Sequence, residues 1–313
     1  MSRNLMNPNS RNRAQPLLIV GSVAFDDLEL PSGSFPNTLG GAATYAAHAA
    51  SLFAPVQVVG VVGQDFPESV LEGLRARGVD TAGIERRDGK TFRWAGRYAD
   101  NLGSRTTLDT QLNVFADFRP RLPESYRDTP FVMLGNIQPA LQLEVLAQAK
   151  SPRLVAADTM NFWISGERPA LCEVLAKVDL LVINDEELRQ LAEDHNIKRA
   201  ARYVMGLGPK RLIVKRGEYG ALLFDQSSTF FAPAYPLETE VDPTGAGDTF
   251  AGALLGYLAQ SDGLDEGTIR RAVMIAATVA SFCIEDVGPK RLATLTQTEI
   301  AQRLEELSAL VRL

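Results

Sequence analysis

The runs LVAAD (Leu154–Asp158), DLLVIN (Asp179–Asn184) and RLIVK (Arg211–Lys215) decide the fold. Each is a short, continuous apolar stretch ending in a polar residue, and the segments between them carry a helical period. Strands apolar on both faces and alternating with helices are the signature of a parallel sheet with crossover helices. The same rhythm begins at LLIVG (Leu17–Gly21) and continues through VQVVG (Val56–Gly60) and FVML (Phe131–Leu134). Ala221–Asp225 and Phe230–Tyr235 read as a hairpin, and helices are predicted over Ala246–Gln260, Glu266–Glu285 and Thr298–Val311. The predicted fold class is α/β, a three-layer α/β/α sandwich around a mostly parallel central sheet.

Two stretches interrupt the alternation: residues 28–39, rich in proline and serine, and residues 91–115, where TFRWAGRY and SRTTLDTQLNVF read as strands joined by DNLG. A small β excursion has no core of its own, so it is expected to cover a substrate cleft as a β lid.

The chain has 313 residues, 45% hydrophobic and 22% charged, which excludes disorder, fibres and coiled coils. Lysine plus arginine number 32 against 38 acids, a net charge of −6 without a basic stripe, so the expected partner is a small molecule and not nucleic acid. Cys172 and Cys283 lie far apart in apolar runs and suit buried thiols of a reducing compartment, without a disulfide. Residues 1–16 are polar and lack the apolar middle of a signal peptide, and no run of 18 apolar residues occurs. A leading tail over 1–16, one domain over 17–313, and a cytoplasmic protein without membrane association are expected.

The chemistry concentrates in EVDPTGAGDTF (Glu240–Phe250). Asp242 and Pro243 suit a helix start and need no further role. Gly245 and Gly247 do not, because each glycine in a first turn costs about 0.5–1 kcal/mol relative to alanine. Their benefit is access: the N–H groups of Gly245, Ala246 and Gly247 can converge on one acceptor, reinforced by the helix dipole, to form an anion hole. The lysine and hydroxyl of a Walker A loop are missing, and GSVAFDD after the first strand is no GxGxxG, so a dinucleotide dehydrogenase is disfavoured. Asp248 sits in the same turn. A carboxylate beside a phosphoryl-binding hole can accept the proton of an attacking hydroxyl, although its charge also suits the helix dipole.

The segment Asp242–Phe250 resembles the C-terminal signature of the ribokinase-like (PfkB) carbohydrate kinases. Leu39–Ala47 (LGGAATYAA) resembles the family's N-terminal signature, Gly21–Asp26 its first strand, and Asn184–Leu188 its central element, in order over roughly residues 17–292. The resemblance implies transfer of the γ-phosphoryl of ATP to a hydroxyl of a sugar, nucleoside or polyol, with Mg2+. Asp248 then matches the general base, Gly245, Ala246 and Gly247 the anion hole, and Asp26 the carboxylate that binds substrate hydroxyls; a turn aspartate is the plain alternative for Asp26. Gly40 and Gly41 match positions where substrate approaches the backbone, and tight packing explains them equally well.

Asn184 and Glu187 resemble an NxxE element that organises Mg2+ through water, and the same pair also fits a helix capping box. Lys215, Gly217, Gly220 and Thr244 match nucleotide positions, with Ala277 and Ser281 on one wall of the adenine site. Asp242 and Thr244 match the region where relatives hold a potassium ion. Asn113, Asn136, Asp158 and Asn161, polar residues at strand ends or on the lid, are candidates for the acceptor pocket; turns and caps account for such residues as well.

Two departures stand out. Ala42 and Tyr45 replace the lysine and asparagine of ribose-specific members, which points away from an ordinary ribokinase pocket. The interval from Asp27 to Gly40 leaves too little chain for a full lid hairpin, so the cover is expected mainly from 91–115, and either a monomer or a homodimer is compatible. A nucleoside or inositol kinase is the alternative, with Tyr45 and the aromatic residues after Asp158 making a flatter pocket; Trp94, Phe162 and Trp163 could flank a ring-shaped substrate, and core packing is the plainer role for them. A catalytically silent regulatory relative is disfavoured because the glycine pair and Asp248 are intact. His48 and His195 are read as structural.

Overall fold

The computed structural model describes residues 14–312. The expected tail lies outside the described residues as far as residue 13; beyond it the chain is already tied down, Gln15 donating its N–H to Ala259 O at 2.9 Å.

Thirteen strands follow in chain order: β1 Leu17–Val20, β2 Ala24–Leu30, β3 Gly33–Gly40, β4 Val56–Val62, β5 Val79–Arg86, β6 Phe92–Tyr98, β7 Arg105–Gln111, β8 Phe131–Leu134, β9 Leu154–Asp158, β10 Leu180–Asn184, β11 Arg211–Lys215, β12 Ala221–Phe224 and β13 Thr229–Ala232. Nine of them form one sheet in the order β13-β12-β11-β10-β9-β8-β1-β4-β5, parallel from β11 to β5 and antiparallel only in the terminal β11-β12-β13 pairs. The helices are α1 Ala42–Ala50, α2 Glu68–Ala76, α3 Pro139–Gln148, α4 Asn161–Gly166, α5 Arg168–Leu175, α6 Asp185–Ala192, α7 Ile197–Met205, α8 Ala246–Gln260, α9 Glu266–Cys283, α10 Lys290–Thr294 and α11 Gln297–Ala309.

Side chains alternate between the two sides of each central strand. Leu17, Ile19, Phe131, Met133 and Ile213 pack under α1, α8 and α9, while Leu18, Val20, Val132, Leu134 and Val214 pack under α3, α5 and α7. Both sides of the sheet are therefore covered, which is why these strands read as continuous apolar runs. The α1–α8 contact is closer than side chains would allow: a Cβ on Gly252 would lie 2.3 Å from Ala46 O, and one on Gly256 would lie 2.8 Å from Ala50 Cα. The alanine-rich helix AATYAAHAA is small because it packs against another helix this closely. Cys283 is buried and Cys172 only half-buried, both as free thiols, so the expectation of two buried thiols holds for one of them.

The lid differs from the expectation. It is a four-stranded sheet, β3-β2-β6-β7, to which the 24–40 segment contributes a complete hairpin. The apparent shortage of chain disappears because β2 starts at Ala24, before Asp26 and Asp27, and only Pro31 and Ser32 separate it from β3. Asp26 is accordingly a residue of the lid strand, paired with Thr38 and Trp94, and not part of a turn after β1. Strand β7 ends at Gln111, and Asn113 opens a 3-10 turn over Asn113–Phe115. β5, unanticipated from the sequence, completes one edge of the main sheet. The inner side of the lid, with Leu28, Leu30 and Tyr98, rests on Val287 of the body.

Candidate active site

Helix α8 starts at Gly245, whose φ of 74° lies in the left-handed region. A Cβ there would fall 2.3 Å from the Tyr45 ring, so the position is closed to any side chain by both conformation and contact. Asp242 sets the preceding turn. Its Oδ1 accepts Thr244 N–H at 2.9 Å and its Oδ2 accepts Gly288 N–H at 2.9 Å, while Thr244 Oγ1 donates to Tyr98 Oη on the lid at 2.9 Å.

One of the three amides expected in the anion hole is unavailable: Ala246 N–H closes the turn on Pro243 O at 3.2 Å. The amides of Gly245, Gly247 and Asp248 have no protein acceptor among the described residues. The cradle thus runs through Asp248, and it opens where a helix dipole favours negative charge. A Cβ on Gly247 would lie 2.8 Å from Lys215 Nζ, which places that ammonium directly over the cradle.

Asp158, Asn184 and Lys215 end three adjacent parallel strands, so the topology delivers them to one crevice. Lys215 Nζ is 3.7 Å from Asp158 Oδ1, both groups being largely buried. Asp158 thus stands beside the lysine that overhangs Gly247. Asn184 and Glu187 form a complete capping box on α6: Asn184 Oδ1 accepts Glu187 N–H at 2.8 Å, and Glu187 Oε2 accepts Asn184 N–H at 3.1 Å. Glu187 Oε1 keeps no hydrogen bond to protein among the described residues.

Four acids share this crevice. Burial raises the Asp248 carboxyl, and nearby Asp158 raises it further, against the opposing pull of Lys215 and Arg105. Burial likewise raises Asp158 against Lys215, and burial with Asp158 lifts Glu187 to about 7. Asp26 is pushed up to about 8, by burial first and then by Asp242, Asp248 and Asp27. The crevice thus combines four acids of raised pKa with one largely buried lysine.

The Asp26 shift has a measurable consequence. Because its folded value of about 8 exceeds the ordinary 3.8, its contribution to stability is complete below about pH 4 and is lost as pH rises toward 8. Asp26→Asn, which cannot ionise, should therefore gain on wild type across that window. We expect an advantage of about 1 kcal/mol or more at pH 8, seen as a melting temperature raised by a few degrees, and little difference at pH 4. Melting curves of both proteins that differ equally at the two pH values would contradict the burial of this carboxyl.

Gly40 and Gly41 both answer to contacts. A Cβ on Gly40 would lie 2.1 Å from Asp26 Oδ2, and one on Gly41, at φ 95°, would lie 2.5 Å from Ser22 O. Asp27 points the other way, its Oδ1 accepting from Asn37 N at 2.7 Å and pairing with Arg93 at 3.1 Å. The buried Tyr45 hydroxyl has no hydrogen-bond partner among the described residues, and burial keeps its phenol un-ionised. Asn136 accepts from Trp163 Nε1 at 2.9 Å and so fixes that ring, against which Phe162 stands edge-on.

The remaining expected residues have the following contacts. Asn113 donates to Thr91 O at 2.9 Å behind β6, not from a lid strand, and Asn161 is exposed, its side chain accepting Phe162 N–H at 3.0 Å. Gly217 faces open space, whereas a Cβ on Gly220 would lie 2.1 Å from Ala232 O, which makes Gly220 a hairpin requirement. Ala277 belongs to the core, and Ser281 accepts from Arg303 at 3.1 Å, facing α11. His48 is buried, its imidazole pushed down to about 4 by burial and then Arg77, and His195 offers its carbonyl to Arg189. Tyr98 carried no signal in the sequence, and Arg105 could not be told apart there from the other lid arginines, Arg93 and Arg97, because the face of a lid strand that meets the crevice depends on register.

A helix start with free amides, a half-buried acid in its first turn and a lysine above it, under a β lid at the carboxyl ends of parallel strands, defines a phosphotransferase-type α/β protein. Residues 17–295 match the pfkB family carbohydrate kinase model, and the chain belongs to that family. A cytidine kinase from Thermococcus kodakarensis is 31% identical over 255 residues, covering 80% of this chain and 91% of its own length. An Escherichia coli protein assigned as ribokinase II, 22% identical and covering 93% of this chain and 99% of its own, superposes with a TM-score of 0.79 in its apo form. The same protein with ATP and Mg2+ gives a TM-score of 0.76. A Burkholderia thailandensis nucleoside kinase solved with inosine, 22% identical, gives 0.74 over 93% of this chain and 96% of its own. The solved structures establish the shared fold. Among the described residues no helix is long and apolar enough to cross a membrane.

Proposed function

We propose that the protein transfers the γ-phosphoryl of ATP to a hydroxyl of a ribose-bearing small molecule, a nucleoside in preference to a free sugar. The observation that carries this is Asp248, a half-buried acid in the first turn of a helix whose Gly245, Gly247 and Asp248 amides lack protein acceptors among the described residues. In this reading the amides receive the charge of the transferring group, Asp248 accepts the proton of the attacking hydroxyl, and Asp26 orients the acceptor. Lys215, next to Gly247, neutralises phosphate charge. Mg2+, held through water near Asn184 and the free Oε1 of Glu187, would supply further charge neutralisation. Lid closure excludes water that would otherwise compete as acceptor.

The nucleoside preference rests on the cytidine kinase likeness over most of both chains and on the bulk of Tyr45 and the fixed Trp163 ring. Activation by K+ belongs to the same proposal, since the buried Asp242 carboxylate has no cationic partner among the described residues. The test is a panel of cytidine, uridine, inosine, ribose, fructose and myo-inositol with ATP and Mg2+, read as ADP release and as product mass. Acceptor-dependent ADP release, strongest with a nucleoside, is the expected outcome. No acceptor-dependent release across the panel would dismiss phosphotransfer, and release with sugars alone would replace the nucleoside with a sugar.

A further inference from the structure

We infer that Arg105, carried on the lid, is a catalytic residue that engages the phosphoryl group in flight above the Gly245–Asp248 cradle, an inference that rests on the phosphotransfer proposed above. Its direction follows from register. Arg105 pairs directly with Tyr98 across β6 and β7, so the two side chains leave the same face of the lid, the face that also carries Trp94 and, across β2, Asp26. Tyr98 is tied to Thr244 Oγ1 at 2.9 Å, one residue from Gly245, which anchors this end of the lid over the cradle. Arg105 is thereby held over the same turn.

The other arginines of these lid strands are committed elsewhere. Arg93 pairs with Asp27 and Arg97 with Glu29, both on the outer face. Arg105 has no ion-pair partner among the described residues; its guanidinium stacks 5.6 Å from the centre of the Trp94 ring and donates to the Tyr98 hydroxyl, which holds it at this end of the lid. Its charge is felt at Asp248, Asp26, Glu187 and Lys215, the groups that surround the donor–acceptor line. Burial raises the Tyr98 phenol, and Thr244 and Arg105 draw it back.

A planar guanidinium suits phosphoryl oxygens because it can donate two parallel hydrogen bonds, which an ammonium cannot. In the step itself the bond from the acceptor oxygen to Pγ forms as the bond from Pγ to the β–γ bridging oxygen breaks. The electron pair leaves with ADP, and the hydroxyl proton goes to Asp248. Charge on the equatorial oxygens is what Arg105 would meet from the side opposite the amides. Because the arginine travels with the lid, this contact is complete only when the lid is closed, linking catalysis to exclusion of water.

The test compares wild type, Arg105→Ala, Arg105→Lys and the outer-face control Arg97→Ala, with ATP, Mg2+ and the best acceptor of the panel. Arg105→Ala should lower kcat about a hundredfold or more while changing either KM by less than about threefold, and added guanidinium should restore part of the rate. Arg105→Lys should recover only a small part, and Arg97→Ala should match wild type. Calorimetry adds a readout without turnover: Arg105→Ala should bind ADP normally but ADP–aluminium fluoride with acceptor at least about tenfold more weakly. An unchanged kcat in Arg105→Ala, a loss confined to the acceptor KM, or an equal loss in Arg97→Ala would overturn the inference while leaving phosphotransfer in place. A wild type inactive across the whole panel would remove both.

Discussion

Asp248→Asn is expected to lower turnover by about a hundredfold or more, with ATP affinity close to that of wild type. The two side chains have the same shape, so the first turn of α8 and the amides of Gly245 and Gly247 should stay in place. What disappears is the site that accepts the proton of the attacking hydroxyl. The environment makes this loss specific. Burial and the neighbouring Asp158 raise the Asp248 carboxyl, so it is a better proton acceptor than an exposed carboxylate, and Lys215 and Arg105 keep it available in its ionised form. In wild type, kcat/KM should therefore fall as the pH is lowered from neutrality, at higher pH than an ordinary carboxylate would dictate, because a base with a raised pKa is lost as it becomes protonated. Steady-state kinetics from pH 5 to 9, with calorimetric titration of ATP, check both points. Turnover equal to wild type in the variant would remove Asp248 from the chemistry, and a large loss of ATP affinity would give it a binding role instead.

Gly245→Ala should damage both fold and activity. The residue has φ 74°, where an L side chain is strained, and the new methyl would stand 2.3 Å from the Tyr45 ring. Tyr45 cannot retreat easily: it is almost fully buried on α1, and α1 is held against α8 by the close approaches at Gly252 and Gly256. Conformational strain and overpacking together should cost about 2–4 kcal/mol. They should also shift the amides of the cradle, lowering kcat on the order of tenfold or more in whatever protein remains folded. Denaturant melts and kinetics measure the two effects separately. The double variant with Tyr45→Ala should recover the steric part of the stability loss and not the conformational part. A single variant as stable as wild type would show that the ring moves aside freely.

Much of this was legible before any coordinates. The apolar runs beginning at Phe131, Leu154 and Arg211 match β8, β9 and β11 without adjustment, and the one beginning at Leu17 overshoots β1 by Gly21 alone, since a strand covered on both sides has a hydrophobic pattern that little else produces. The start of α8 was equally plain, because glycines in a helix's first turn are costly unless the backbone must stay bare. The lid was harder. The length available after Asp27 suggested no hairpin because the sequence conceals that β2 already runs through Asp26, with a bulge between Asp26 and Leu28 that shifts its register. Asn113 was misplaced for a similar reason: a polar, half-exposed strand has a weak alternation, and its end cannot be seen in it.

By itself, then, the sequence determined most of the central strands, the helices around them and the point where a helix starts on a bare glycine backbone, because those depend on hydrophobic period and on local backbone freedom. The tertiary structure alone decided that Ala246 spends its amide on Pro243, that Gly40 is bare to make room for Asp26, and that Lys215 hangs over Gly247 beside Asp158. It also decided that Arg105, and not Arg93 or Arg97, faces the crevice. Each of these depends on strand register or on contacts between residues distant in the chain, and a one-residue change of register would turn every lid side chain to the opposite face.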